Sequence, residues 1–188
     1  MKAFVAVMDA CRRFARRRPV PFVCINIILV ILWVLVIMSF SDENAYISGG
    51  RSARLLVGLV NIFNPSADIT LENYDSIEAL DNCEKVIRKL AHMFEYGILS
   101  ALVWSALFGI PRFERRFANI IPVVFAGLIG IIDEKNQTSV EGRYGSWFDV
   151  CVDMLGAVIA LFVIYHLIRR YRALKREMNS RRGARNVS

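Results

Sequence analysis

Four stretches of this 188-residue chain approach the roughly 20 apolar residues that a helix needs to cross the hydrocarbon core of a bilayer. Lipid offers no partner to backbone N–H and C=O groups, so such stretches must satisfy them internally, as an α-helix does. The first runs from Val20 through Phe40; it holds no charge, and Pro21 lies near its start, where a helix tolerates proline. The second runs from Leu90 to Ile110, interrupted only by His92 and Glu95, the third from Phe117 to Ile132, and the fourth from Trp147 to Ile168. A hydrophobic content of 55% fits this class and excludes a disordered tail or a fibrous chain. The expected fold is all-α: a polytopic membrane domain over residues 20–168, flanked by basic tails at 1–19 and 169–188.

Charge placement supplies the expected orientation. The N-terminal tail, the loop Pro111–Arg116 and the tail from Arg169 together hold 17 basic residues and 3 acidic ones, against 7 and 14 elsewhere. By the positive-inside rule, both termini and the short middle loop are cytoplasmic, and residues 41–89 and 133–146 face outward. Anionic lipid beside the helices accounts for the arginine-rich ends, and no folded reader of nucleic acid accompanies them. The first apolar run is longer than a signal-peptide core and lacks a small-x-small cleavage site, so it reads as a retained anchor. Cys11, Cys24, Cys83 and Cys151 are divided between two compartments and form no CxxC pair, which argues against a disulfide framework.

The segment between the first two crossings contains RSARLLVGLVNIF at 51–63, with Leu55, Leu56, Leu59, Val60 and Phe63 at roughly helical spacing. It is too short to span, so a helix in the outer interface, or one dipping back into it, is expected, ended by Asn64-Pro65-Ser66. A new helix can be capped by Asp75 or Ser76. Nothing breaks it before Gly97, so it should run straight into the second crossing. That continuity would hold Lys89, His92 and Glu95, spaced i, i+3 and i+6, as a polar stripe descending about 9 Å into the membrane.

The third apolar portion is only about 24 Å long by the helical rise, so the helix is expected either to thin the bilayer or to continue through Asp133-Glu134-Lys135-Asn136-Gln137. In the second case Asp133 and Gln137 share a face, and a glycine-containing return brings Arg143 over the helix ends. On the fourth helix, Asp149, Asp153 and Gly156 fall at i, i+4 and i+7, with Gly156 letting a neighbouring helix approach. Asp149 also fits a helix-capping role, whereas Asp153 lies beyond the first turn. Ionisable side chains at such depth are costly and mark a functional site by default. Glu95, Asp133, Glu134, Asp149 and Asp153 cannot all stay ionised there without ion pairing, protonation or a bound cation.

These residues lie in FSDENAYIS at 40–48, RKLAHMFEYGIL at 88–99 and DEKNQTSVEGRYGSWFDVCVDMLGA at 133–157, and in these motifs the chain resembles the VanZ-like membrane proteins. The resemblance implies a bacterial envelope protein of the cytoplasmic membrane, and it marks Lys89, His92, Glu95, Asp133, Glu134, Gln137, Arg143, Asp149, Asp153 and Gly156 as the family's polar pattern. Thr138 and Glu141 stand where many members have an aromatic residue and a proline, which implies a different return loop. One member of the family is associated with lowered susceptibility to teicoplanin.

The functional expectation is an outward-facing polar site that binds or modifies a cell-envelope or lipid-linked molecule, with the apolar part of that molecule left in lipid. Lys89 and Arg143 would meet an anionic group, and Asp133, Glu134, Gln137 and Asp149 would line the site. If chemistry takes place, His92 is the candidate general base, oriented by Glu95 or Asp153. The alternative is a non-catalytic structural or accessory protein with a membrane-protein partner. No cofactor is expected, and no metal is assigned, because neither HxxxH nor HExxH spacing occurs.

Overall fold

A computed structural model of the protein describes residues 2–41, 45–63, 70, 78–110, 114–139 and 145–185. Among these residues there are six helices and no strand: α1 (Lys2–Arg17), α2 (Pro19–Ser41), α3 (Ala45–Phe63), α4 (Glu78–Phe108), α5 (Arg115–Gln137) and α6 (Trp147–Arg185). Four of them are long and apolar enough to cross a membrane, over Pro19–Ser41, Lys85–Phe108, Phe117–Gln137 and Trp147–Ser180. The chain is a multi-pass all-α membrane protein.

Within the two basic tails, residues 2–17 and 169–185 are helical. Val5, Met8, Arg12 and Ala15 recur at i, i+3, i+7 and i+10, which makes one face of an amphipathic α1. Val5 and Ala15 are buried. Pro19 occupies the first position of α2, where its fixed φ suits a helix start. The junction is held by the Phe22 N–H donating to the Arg18 carbonyl at 3.1 Å and by the Phe14 and Phe22 rings, 6.1 Å apart. At the other terminus α6 continues to Arg185, since no proline or glycine interrupts it between Ala157 and Gly183. Asp9 of α1 accepts hydrogen bonds from Tyr171 and Lys175 of α6, so α1 and the C-terminal part of α6 lie at one end of the bundle.

The interior of the bundle is built from Ile37 of α2, Tyr96, Leu99 and Val103 of α4, Ala126 of α5 and Ala157 of α6. Its tightest point is the crossing of α4 and α6. A Cβ on Gly156 would run into the Met93 carbonyl oxygen, so the two backbones touch with no side chain between them. Only glycine permits this approach, the device by which membrane helices pack closely without a hydrophobic drive. The outward faces of α2, α5 and α6 carry exposed Ile28, Leu32, Val124, Leu128, Val158 and Phe162, as helices that face lipid do.

α3 begins six residues earlier than RSARLLVGLVNIF and ends at Phe63 as expected. Its Ala53 and Leu56 are buried, and Val57 and Val60 pack with Ile87 of α4. α4 is continuous over 31 residues, as the absence of breakers before Gly97 requires. Its cap, expected at Asp75 or Ser76, lies outside the described residues. α5 carries on past Ile132 to Gln137, so the polar run Asp133–Gln137 is the last part of the helix.

Candidate functional site

The other end of the bundle carries the polar residues, and they come from the ends of α2 and α5, from α4 and from the start of α6. Asp133 of α5 points inward and is fully buried. The Tyr96 hydroxyl of α4 and the Gln137 amide both donate to its Oδ2, each at 3.2 Å. Ser41, at the end of α2 and also fully buried, lies against the same carboxylate. The side chain of Glu134, the next residue along, turns towards α6 and accepts the Ser146 N–H at 2.6 Å. Ser146 caps α6, its hydroxyl accepting the Phe148 N–H at 3.2 Å. Gly145 fits beneath because a Cβ there would stand 2.6 Å from the Glu134 carbonyl oxygen.

Asp149 and Asp153, one turn apart on α6, have different surroundings. Asp149 forms an ion pair with Lys89 of α4 at a half-exposed rim, and the Lys89 ammonium also stands 4.6 Å from the centre of the Phe148 ring. Asp153 is about 6 Å deeper by the helical rise and is 2% exposed. No hydrogen bond or ion pair reaches it from the other described residues. Asp133, Glu134 and Asp153 each present an oxygen within 4.8 Å of the other two. Gly130 leaves room for this group, since a Cβ there would lie 3.4 Å from Asp153 Oδ2.

His92 and Glu95 form the third part of the site. His92 Nδ1 is 3.5 Å from Glu95 Oε2, and neither buried atom completes a hydrogen bond among the described residues. His92 is within electrostatic reach of Asp153 and Asp133. The Trp33 indole of α2 donates to the Glu95 carbonyl oxygen at 2.9 Å, which ties the first span to this part of α4.

Of the residues expected in the site, His92, Glu95, Asp133, Glu134, Gln137 and Asp153 lie in or beside the buried cluster. Lys89 and Asp149 sit at its rim, paired to each other, so Lys89 meets a carboxylate of its own chain before any anionic ligand. Arg143, with the rest of the return from 140 to 144, lies outside the described residues. Gly156 marks the α4–α6 crossing. Sequence reasoning missed Ser41, Tyr96 and Ser146 as site residues, although all three stand inside the quoted motifs at 40–48, 88–99 and 133–157. Cys11, Cys24, Cys83 and Cys151 are free thiols.

Beside the cluster, between the last turn of α5 and the first of α6, is a mostly apolar groove of about 320 Å³. It is lined by Ile131, Glu134, Lys135, Thr138, Trp147 and Val150. Glu134 borders both the groove and the buried carboxylates, so it links the interior of the site to the surface.

No curated protein and no solved structure gives a significant match to the chain. The family described as VanZ/LLP1 matches residues 25–169, which include all four spans in large part and every residue of the cluster, and the chain belongs to that family.

Proposed function

We propose that the protein binds or modifies a cell-envelope or lipid-linked molecule whose polar head enters the carboxylate cluster while its apolar part stays in the groove and the surrounding lipid. The observation that carries this reading is the double position of Glu134, one wall of an apolar groove and one member of a buried polar group. A membrane protein without a ligand for these groups has little reason to sustain the desolvation of three neighbouring carboxylates. The cluster is rich in acceptors, which suits amines, hydroxyls and cations, and with Lys89 engaged by Asp149, Lys135 at the groove offers a positive charge to an anionic group, as Arg143 does by its place in the motif. Should the site be catalytic, His92 would exchange the proton, with Glu95 holding its Nδ1 side.

In this account the protein sits in the bacterial cytoplasmic membrane with both termini inside, as the 17 basic residues against 3 acidic ones support, and the cluster opens outward. An effect on teicoplanin susceptibility would then follow from a change in the envelope molecule. The experiment is comparative profiling of envelope lipids and lipid-linked precursors in a deletion strain, the complemented strain and one carrying Asp153→Asn. One class of molecule should change in the deletion, return on complementation and stay changed with Asp153→Asn.

A second reading is supported by the inter-helix bonds themselves. Tyr96 to Asp133, Lys89 to Asp149 and Ser146 to Glu134 join separate helices or close the return between them, as a purely structural network would. Under that reading Asp153→Asn lowers stability and leaves the envelope profile unchanged in the folded fraction.

A further inference from the structure

We infer that Asp133, Glu134 and Asp153 hold a divalent cation of the oxygen-preferring class, Mg²⁺, Mn²⁺ or Ca²⁺, an inference that rests on the site reading above and names its inorganic component. Oxygens bound to one such ion lie about 2.0 to 2.6 Å from it, and therefore up to about 5 Å from one another. The three carboxylates already present oxygens within 4.8 Å. They come from two helices, α5 and α6, that are fastened beside them by the Ser146 N–H on Glu134, so little movement is needed to close on an ion.

The second observation is Asp153 itself. It is 2% exposed, its carboxylate is directed at the other two, and no described residue gives it a hydrogen bond or an ion pair. A buried acid left in this state loses its hydration without replacement. Asp133 repeats the pattern in part: Tyr96 and Gln137 both donate to Oδ2, while Oδ1 completes no hydrogen bond. Of the described cations nearby, Lys89 is committed to Asp149, and His92, 3.5 Å from Glu95, lies within electrostatic reach of Asp153 and Asp133 but hydrogen-bonds neither. A divalent ion meets all of these demands together. It supplies positive charge between three mutually repelling carboxylates and occupies lone pairs that no donor fills.

The donor set decides the class of ion. All three ligands are carboxylate oxygens, with neither thiolate nor imidazole among them, which suits hard cations rather than Zn²⁺ or Cu⁺. Glu134 borders the groove, so an ion held there would present its remaining positions on the side where a polar head arrives. It would also convert an acidic pocket into one that accepts an anionic oxygen.

The test uses the full chain, purified in detergent, stripped with a chelator and titrated with Mn²⁺ while free Mn²⁺ is followed by electron paramagnetic resonance. One Mn²⁺ per chain is expected, displaced by excess Mg²⁺ or Ca²⁺, with Asp153→Asn and Glu134→Gln each weakening binding at least about tenfold. Mn²⁺ should raise the unfolding midpoint of the wild type and leave that of Asp153→Asn unmoved, whereas the metal-free Asp153→Asn chain should be at least as stable as the metal-free wild type. Absence of binding up to about 1 mM Mn²⁺ overturns the inference, and so does binding that survives both substitutions. If Asp153→Asn does not fold, Glu134→Gln alone decides. Retention of envelope lipid by the stripped wild type separates the two ideas: lipid held without metal removes the ion and leaves the site, and Mn²⁺ held without any lipid preference does the reverse.

Discussion

Tyr96 of α4 donates its hydroxyl to Asp133 of α5 across 3.2 Å, and both residues are completely buried. The bond joins two spans at the point where the apolar interior gives way to the acidic cluster. Tyr96→Phe keeps the ring packing and removes one donor from the carboxylate. Thermal unfolding in detergent should show a loss of about 1 kcal/mol, the usual value for a hydrogen bond between membrane helices or in a core. No loss at all would mean that another donor replaces the tyrosine at once.

The glycine crossing should be far less tolerant. Gly156→Leu forces a side chain between the backbones of α6 and α4 at Met93. Overpacking of this kind costs about 1 to 3 kcal/mol or more, and the expected result is a lowered unfolding midpoint with disturbance of Tyr96 and Asp153 on either side. Wild-type stability of the folded variant would show that the helices cross elsewhere.

Lys89 and Asp149 offer the opposite case. Their side chains are 39% and 34% exposed, so the ion pair is partly screened by solvent, and Lys89→Ala should change stability by no more than about 1 kcal/mol. Any large effect of that substitution on retained envelope lipid would then come from binding. Stability and lipid retention falling together in proportion would assign Lys89 to the framework alone.

The terminal helices carry a pH-sensitive contact. The Lys175 ammonium and then the Tyr171 hydroxyl, both hydrogen-bonded to Asp9, hold its carboxyl below the usual range. The value in the docked state lies under that of a free aspartate, about 3.9. The contact is therefore at full strength above that value and is lost as pH falls through the docked one. Spin labels on Cys11 and on a cysteine replacing Met178 should keep one narrow distance at pH 7 and broaden below about pH 4. Asp9→Asn should broaden it at both. A distance indifferent to pH and to the substitution would contradict the clasp.

The spans were legible because length and apolarity leave a chain in lipid little choice but a helix. The continuation of α5 through Asp133–Gln137 was one of two answers, with local thinning, to sixteen apolar residues that fall short of the bilayer, and the packed helix decides between them. The helical nature of residues 2–17 was hidden by charge: counting Arg12, Arg13, Arg16 and Arg17 drew attention away from the face formed by Val5, Met8 and Ala15. In the site, the spacing of Asp149 and Asp153 placed them on one side of α6, yet one turn of depth separates a rim ion pair from a carboxylate without a described partner. Spacing within one helix cannot show what a neighbouring helix presents. That is why Tyr96, Ser41 and the approach of Glu134 to Ser146 emerged only from the packed structure. The proximity of Asp133, Glu134 and Asp153 is likewise a property of two helices together, and no spacing rule for metal ligands would have found it.

The most direct measurement is mass spectrometry of the lipids that remain with the purified, folded chain, comparing the wild type with Asp153→Asn and Asp133→Asn. The account expects one class of envelope or lipid-linked molecule to be enriched on the wild type over the surrounding membrane and reduced to background on both variants. Identical lipid complements on all three folded proteins would contradict it.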